Sequence, residues 1–473
     1  MRRIRVARDR WNFELEGSGT PIVPLGGNIL GTVHPSSGTI FRAFDRDDCD
    51  RRLGLMAQLG LNCLRQAIGV NEVFDPARGL KPEGMRSWNA FMALARKHGI
   101  YVMPVGGYVG GNDWFDAARL ADHGRALDES CAFWEAFAAE QAGDPAVWAW
   151  DLRNELLYWD SPTPGSDAGD HDIIAARLID RWPGWLERKY GDVATMNRHY
   201  AGTYGAFAAV PGSVRFVEAP YDARLHDFRC YLNDRGYDWC RRQCEVLRRV
   251  APDHLICSGN NTWLSPDQDL FLANGFHNRA VHDLFDFITH HPYPACQAKA
   301  GGRGDPLDHL RDDGVPLRYW INACIGMSRL DHYGKPVVIQ EWGWYGGGES
   351  RFLGPLPHRS EDEHAAYARR FTDALIPHAV GFLNWPTFDM SEAEDISNHG
   401  GIFSADGRPK ALAGVYADLA VRLGGRRQLR APATTTITAS LLGLYTSRSV
   451  QDRLWDEVHA ALEAGDTPDF RFI

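Results

Sequence analysis

Two glutamates close apolar segments of this chain and have the chemistry for acid–base and nucleophilic catalysis. Glu155 follows shortly after the run VWAWDL, and Glu341 follows PVVIQ. Cleavage of a glycosidic bond requires two carboxyl groups that face each other across that bond. One is protonated and donates to the leaving oxygen, and the other is ionised and attacks the anomeric carbon. The two glutamates therefore predict a site of glycosidic cleavage if the fold brings them together.

The elements that would position them are short apolar strands alternating with helix-like stretches. The strands are apolar throughout, as expected for parallel strands buried on both faces. Glycine separates helix from strand in QLGLNCLR and KHGIYVMP, which is typical of a helix end. Eight strands are predicted, at 21–28, 61–66, 100–105, 147–152, 254–258, 286–290, 336–340 and 380–384. This pattern predicts an α/β fold, a (β/α)8 TIM barrel, which takes about 250 residues.

Two stretches exceed a minimal barrel, namely the connection after the fourth strand and the long loop at 343–358 after the seventh. Roughly 100 residues separate the fourth strand from the fifth, far more than one βα connection needs, and they predict a helical insertion at 160–235. The catalytic barrel with this insertion is assigned to 1–424, and a short C-terminal extension to 425–473. The extension contains a predicted helix at 449–463, and we assign it no function.

The neighbours of the two glutamates suggest different roles for them. Catalytic groups of barrel enzymes lie at the carboxyl ends of the strands, where Arg65 follows strand two and Tyr293 follows strand six. A guanidinium and a hydroxyl beside Glu341 would lower the pKa of that carboxyl, which suits a nucleophile. Glu155 is then the general acid/base, and Asn154 is placed to bind the 2-hydroxyl of the substrate.

These segments together resemble the clan A glycoside hydrolases, whose acid/base follows strand four and whose nucleophile follows strand seven. The resemblance is greatest to family 5, and it spans about residues 12–422. It is carried by FELEGSGTPIVPLGGN, LNCLRQ, WDLRNE, HHPYP, PVVIQEWG, NWPTFD and GIFSADGRPKALAG, in that order. It implies that Glu155 and Glu341 are catalytic and that Trp385 is a platform for the sugar. The predicted substrate-binding residues are Asn28, Arg65, Asn154, His291, Tyr293, Trp342 and Trp385.

The chain departs from the family 5 pattern in two places. Many family 5 enzymes carry a histidine after strand three, where this chain has PVGGYVGGNDW, so that Tyr108, Asn112 or Trp114 would fill the space. The segment WLERKYGDVATMNRHY in the predicted insertion is similar to a segment of the family 42 β-galactosidases. We therefore expect a retaining β-glycosidase acting on a terminal β-mannoside or β-glucoside first, and on a β-galactoside second.

Composition limits the partners and the compartment. The net charge of −10 disfavours nucleic acid, because phosphate binding needs a basic face. The basic start MRRIRVARDRWNF leads into no apolar segment, and no apolar run reaches the roughly 18 residues of a membrane span. Nine scattered cysteines favour free thiols in a reducing compartment. We predict a cytoplasmic enzyme that acts on an oligosaccharide or glycoside, with homo-oligomerisation left open.

Other classes of function stay open at this point. A β-galactosidase of the same clan is one, and a carbohydrate-binding barrel without catalysis is another, although the presence of both glutamates disfavours the latter. A metal-dependent barrel hydrolase would typically use a His-x-His pair, whereas His290 and His291 are contiguous and successive strand residues point to opposite faces. We therefore assign no metal site. Because no phosphate-binding glycine loop or dinucleotide fingerprint is present in the sequence, we also expect no organic cofactor.

Overall fold

Eight parallel strands surround the centre of the molecule in the computed structural model. They are β1 (Leu25–Asn28), β2 (Cys63–Ala67), β3 (Tyr101–Val105), β4 (Ala149–Asp151), β5 (Leu255–Cys257), β6 (Ile288–His290), β7 (Val337–Trp342) and β8 (Phe382–Asn384). The structure describes residues 1–35, 39–107, 123–155, 180–212, 222–259, 279–292, 329, 334–343, 348–350, 354–356, 360–391, 393 and 396–473.

The strands follow one another around a ring in the order β5-β4-β3-β2-β1-β8-β7-β6. Hydrogen bonds link the two ends of this sheet, since the backbone N–H of Asp286 donates to the carbonyl of Ile256 over 3.0 Å. The hydroxyl of Thr289 also donates to the carbonyl of Ser258 over 2.5 Å. The fold is therefore a TIM barrel, and the eight strands predicted from the sequence are confirmed in their order.

Helices surround the strands and are set by local signals. Pro82–His98 ends at Gly99, whose φ of 70° is the left-handed conformation that glycine adopts without strain. Glu361–Leu375 begins with a capping box formed by Ser360 and Glu363. The other described helices are Arg46–Gln58, Val70–Val73, His123–Gln141, Trp182–Tyr190, Val193–Tyr200, Ala223–Val250, Arg279–Asp283, Ala411–Leu423, Leu441–Thr446 and Arg448–Glu463, with 3-10 turns at Phe207–Ala209 and Ile396–Asn398.

Small sheets flank the barrel. The antiparallel strands Ile4–Val6, Phe13–Leu15 and Thr20–Ile22 form one of them. Phe13 packs edge-on against Trp148 and Phe287, with ring centroids 5.7 and 5.4 Å away, just before β4 and β6 begin. This sheet therefore covers the amino ends of the strands and leaves the carboxyl ends for a site. Two-stranded pairs are formed by Phe74–Asp75 with Gly79–Leu80 and by Gly348–Ser350 with Gly354–Leu356.

Two helices of the connection between β4 and β5 pack on the long helix Ala223–Val250 through a buried carboxylate. Asp227 is 0% exposed. It accepts hydrogen bonds from Lys189 Nζ over 2.5 Å and from the hydroxyls of Tyr190 and Tyr200 over 2.5 and 2.7 Å. A buried carboxylate is costly unless it is paired in this way. The contacts anchor Trp182–Tyr190 and Val193–Tyr200, which lie within the segment predicted as an insertion.

The C-terminal residues form a small unit on the outside of the barrel. Thr435–Ala439 pairs in parallel with Pro468–Phe472, and the predicted terminal helix is Arg448–Glu463. The short helix Leu441–Thr446 packs against Ala223–Val250, and Leu444 is buried in the common hydrophobic core. Across the described ranges, no helix is long and apolar enough to cross a membrane, and seven cysteines are free thiols.

Candidate active site

Polar side chains from five strands converge at the carboxyl end of the barrel. Arg65 of β2 lies at the centre and is fully buried. Its Nε donates to Asp151 Oδ2 over 2.7 Å and its Nη1 to Glu341 Oε2 over 2.9 Å. Its Nη2 donates to Asn154 Oδ1 over 2.8 Å. The predicted contact between Arg65 and Glu341 is therefore present, and the guanidinium favours the ionised form of that carboxyl.

Asn28 of β1 lies beneath this arginine rather than at the surface of the site. Its Oδ1 accepts from Arg65 Nη1 over 3.1 Å, and its Nδ2 donates to the carbonyls of Gln340 and Asn384 over 2.9 and 3.0 Å. The residue is 0% exposed. The expected contact of Asn28 with substrate is corrected, because its hydrogen-bonding groups already hold Arg65 and two neighbouring strands in place.

A register irregularity turns Glu341 into the site. Ile339 pairs with Phe382 and Trp342 with Asn384, so three steps along β7 match two along β8. Such a bulge breaks the alternation of side chains along a strand. Gln340 and Glu341 both reach the interior, and Trp342 points outward, 0% exposed, with its ring 4.7 Å from Phe371. The prediction that Trp342 binds substrate is therefore wrong, because its ring belongs to the layer between strand and helices.

Glu155 sits just beyond β4 in an unusual backbone conformation. Its φ is 49°, in the left-handed region that a non-glycine residue adopts at a cost of about 1–2 kcal/mol. Its N–H donates to the carbonyl of Gly259 over 3.0 Å, and the N–H of Asn154 donates to Gly107 over 3.0 Å. The turn that presents Glu155 is thus fixed to the ends of β3 and β5. Its side chain is 19% exposed, compared with 6% for Glu341.

His291 lies between the two glutamates. Its Nδ1 is 2.9 Å from Glu155 Oε1 and 3.3 Å from Glu341 Oε2, and one ligand-type atom from each of the three residues lies within 4.8 Å of the others. Burial lowers the pKa of His291 below its usual value, against the opposing charge of Glu341. The structure therefore brings together Glu155, Glu341 and a histidine whose neutral form is favoured by its burial.

Two residues of this network were missed by the sequence reasoning. Gln340 Oε1 lies 2.9 Å from His291 Nε2 and can only accept a hydrogen bond from it. Asp151 accepts from Gln340 Nε2 over 3.0 Å and from the N–H of Gly259 over 2.8 Å. Both are fully buried polar residues inside continuously apolar strands. That interruption of WAWDL and VVIQ is the signal by which they could have been found.

The remaining predicted residues have different outcomes. Trp385 follows β8 and is 4% exposed, and its Nε1 donates to Ser397 Oγ over 2.9 Å, so its ring has a fixed orientation. Its role as a sugar platform stays a prediction. The outcome for other candidates is open because Tyr293, Tyr108, Asn112 and Trp114 lie outside the described residues.

Comparison with known proteins adds a sequence match over the centre of this site. The model of glycoside hydrolase family 42, described as β-galactosidase, matches residues 127–315. That segment contains Glu155 and His291. Over this segment the chain is similar to the clan A glycoside hydrolases. No curated protein sequence matches it.

Solved structures share the fold of this chain at low identity. An exo-β-1,4-mannosidase from Opitutaceae bacterium strain TAV5 has a TM-score of 0.64 at 16% identity, covering 99% of this chain and 72% of that one. A GH5_18 protein from Streptomyces cattleya in complex with Manβ1-4GlcNAc has a TM-score of 0.64 at 15% identity, covering 95% and 94%. A β-galactosidase from Halorubrum lacusprofundi has a TM-score of 0.68 at 17% identity, and the match covers 94% of this chain and 66% of that one. The chain thus shares the fold of these proteins and contains a family 42-like region.

Proposed function

We propose that this protein is a retaining β-glycosidase that removes terminal β-linked sugars from oligosaccharides or glycoconjugates by double displacement. The observation that carries the proposal is the spacing of the carboxylates, with one oxygen of Glu155 within 4.8 Å of one of Glu341. Retaining enzymes hold their two carboxyl groups about 5–5.5 Å apart, and inverting enzymes hold them about 6.5–9.5 Å apart to admit a water.

The surroundings of the two carboxylates support one assignment of roles. Glu341, ionised beside Arg65, attacks the anomeric carbon while the glycosidic C–O bond breaks and Glu155 protonates the leaving oxygen. In the second step Glu155 takes a proton from water, the resulting oxygen attacks the same carbon, and the bond to Glu341 breaks. Because Asn154 Oδ1 accepts from Arg65, its Nδ2 is the group that this residue offers to the sugar 2-hydroxyl.

The sugar that we propose first is a β-mannoside or β-glucoside. Two structural neighbours support the mannoside, since one is named an exo-β-1,4-mannosidase and another binds Manβ1-4GlcNAc. The second candidate is a β-galactoside, which the family 42 match over residues 127–315 favours. A cytoplasmic location is part of the proposal and rests on the free cysteines.

The test is hydrolysis of a panel of aryl β-mannosides, β-glucosides and β-galactosides, followed by NMR of the first-formed product on the best substrate. We expect activity on the mannoside or glucoside and a product that first appears as the β-anomer, because two displacements restore the configuration. Activity on galactosides alone would replace the first sugar assignment by the second. A first-formed α-anomer would contradict the retaining mechanism.

A further inference from the structure

A chain of side-chain contacts runs from Asp151 to the proposed acid/base. Asp151 Oδ2 accepts from Gln340 Nε2 over 3.0 Å, and Gln340 Oε1 lies 2.9 Å from His291 Nε2. His291 Nδ1 in turn lies 2.9 Å from Glu155 Oε1. Asp151, Gln340 and His291 are all fully buried. Buried polar groups in such a chain must match donor to acceptor at each contact.

The direction of each hydrogen bond in this series follows from the carboxylate of Asp151 at one end of it. An ionised carboxylate can only accept, so the Gln340 amide must present its nitrogen to Asp151 and its oxygen to His291. That oxygen is an acceptor, and the His291 Nε2 opposite it must therefore carry a hydrogen. In a neutral imidazole the other nitrogen, Nδ1, then has a free lone pair.

The lone pair at Nδ1 faces two carboxyl groups, and a hydrogen must lie on one of them. Glu341 Oε2 is 3.3 Å away and already accepts from the Arg65 guanidinium over 2.9 Å. Glu155 Oε1 is closer, at 2.9 Å. Because the cation beside Glu341 favours its ionised form, the hydrogen belongs to Glu155, which donates it to Nδ1.

We propose that Gln340, oriented by Asp151, is a positioning residue that fixes the His291 tautomer with the hydrogen on Nε2, so that Nδ1 holds the proton on Glu155 in the resting enzyme. The role of that proton in bond cleavage rests on the proposed function, whereas its location does not. A hydrogen bond to the protonated form of a carboxyl raises its pKa. After Glu155 has given up its proton, the same lone pair disfavours the carboxylate and promotes recovery of a proton from water.

The charges around His291 are consistent with a neutral ring. Among the described residues, the groups that act on it include Glu341, Arg65, Gln340 and Asp151, together with Glu155 at Nδ1. Arg65 and Asp151 form a buried ion pair of 2.7 Å and largely compensate each other. Burial is the largest influence on His291 and lowers its pKa. The alternative is an imidazolium that donates to both glutamates, and this is the arrangement that the test must detect.

Neutron diffraction from crystals of the unliganded wild-type enzyme at neutral pD reads the hydrogens directly and needs no substrate. We expect deuterium on His291 Nε2 and on Glu155, and none on His291 Nδ1 or Glu341. Deuterium on both ring nitrogens, or on Nδ1 alone, would overturn the proposal. This outcome is independent of the sugar and of the stereochemistry, so it is distinguishable from a failure of the proposed function.

The variant Gln340→Met tests the contribution of the amide to the pH profile on the best aryl glycoside. Without the acceptor, His291 can place its hydrogen on Nδ1 and donate to an ionised Glu155. We expect the basic limb of kcat/KM to move about one pH unit towards acid, because a bond to the charged form lowers a carboxyl pKa. An unchanged basic limb would contradict the positioning role.

A matched control is Gln243→Met. Gln243 is also buried and accepts from a ring N–H, that of Trp134, over 3.0 Å, but it lies on the helix Ala223–Val250 outside the site. We expect this variant to lose stability and keep the pH profile of the wild type. A shift of the same size in both variants would assign the effect to general destabilisation and reject the proposal.

Discussion

Glu155 and Glu341 are the same residue type in two different environments. Glu341 shares a 2.9 Å ion pair with Arg65, and Glu155 contacts a buried histidine over 2.9 Å and is more exposed. A guanidinium stabilises a carboxylate, and a neutral acceptor nitrogen stabilises a carboxylic acid. The sequence suggested the first half of this division through Arg65. It did not suggest the second half, because Gln340 was not considered.

The division of roles predicts that azide gives glycosyl azides of opposite anomeric configuration in the two variants that lack one of the glutamates. In Glu155→Ala we expect kcat on a poor leaving group to fall by about 10²–10⁴-fold, and azide to give a glycosyl azide with the configuration of the substrate. Azide can then attack the glycosyl-enzyme on the face opposite Glu341. In Glu341→Ala we expect azide to attack the substrate itself and give the inverted glycosyl azide. NMR of the two azides is the measurement.

The paired variants serve as controls for each other. The reversed pattern would exchange the roles of the two glutamates. Hydrolysis that is unchanged in Glu341→Ala would place the chemistry elsewhere and bring back the possibility that this cleft only binds carbohydrate.

At the scale of elements, the ends of strands decide which side chains enter the site. The bulge in β7 admits both Gln340 and Glu341 and sends Trp342 outward. The end of β5 matters because the carbonyl of Gly259 holds the turn of Glu155. Strand alternation predicts inward and outward positions well in regular segments, but one extra residue inverts the prediction beyond it. Relative to an inward Glu341, regular alternation already places Trp342 outward, and the residue that it would misplace is Gln340.

Gly259 is a position at which a small change in an element should disturb the site. A Cβ there would lie 2.7 Å from Arg65 Nη2 and 3.2 Å from His291 Cε1, and Arg65 is held by its own contacts. For Gly259→Ala we expect kcat/KM to fall by about 10²-fold, as for a misplaced catalytic group, with a stability loss of about 1–3 kcal/mol. Kinetics on the best aryl glycoside and urea unfolding are the measurements.

Gly143→Ala is the matched control for that substitution. Nothing lies within 4 Å of a Cβ at Gly143, so we expect activity and stability close to those of the wild type. Equal activity in the two variants would mean that Gly259 tolerates a side chain and that the close packing around Arg65 is not required.

At the scale of the whole molecule, the C-terminal extension shares the core of the barrel. Ile437, Leu444 and Leu454 belong to the same buried cluster as the barrel residues. A unit of 49 residues, 425–473, is small for an independent fold, since domains below about 60 residues bury little surface. We propose that the barrel and this extension unfold as one cooperative unit.

Leu444→Ala tests this proposal. Leu444 is 1% exposed, so its truncation should cost about 2–5 kcal/mol, the range for a buried leucine. We expect a single unfolding transition at a lower urea concentration than in the wild type. Activity and tryptophan fluorescence should be lost at the same urea concentration.

Leu442→Ala provides the control from the same helix. Leu442 is 37% exposed, and its truncation should change stability by no more than about 0.5 kcal/mol. If Leu444→Ala loses activity at the same urea concentration as the wild type, the extension unfolds as a separate unit.

The sequence by itself determined the barrel, the strand ends and the two glutamates. Apolar runs, helix stops and the order of the strands are local signals that can be read directly along the chain. The tertiary structure decided what surrounds those glutamates. Arg65 and Glu341 are 276 positions apart, and Gln340 and Asp151 are 189 apart. Contacts over such separations depend on which side chains point inward and on how strand ends are bent. They turned Asn28 from an expected sugar contact into a support for Arg65, and they connected His291 to Asp151 through an amide.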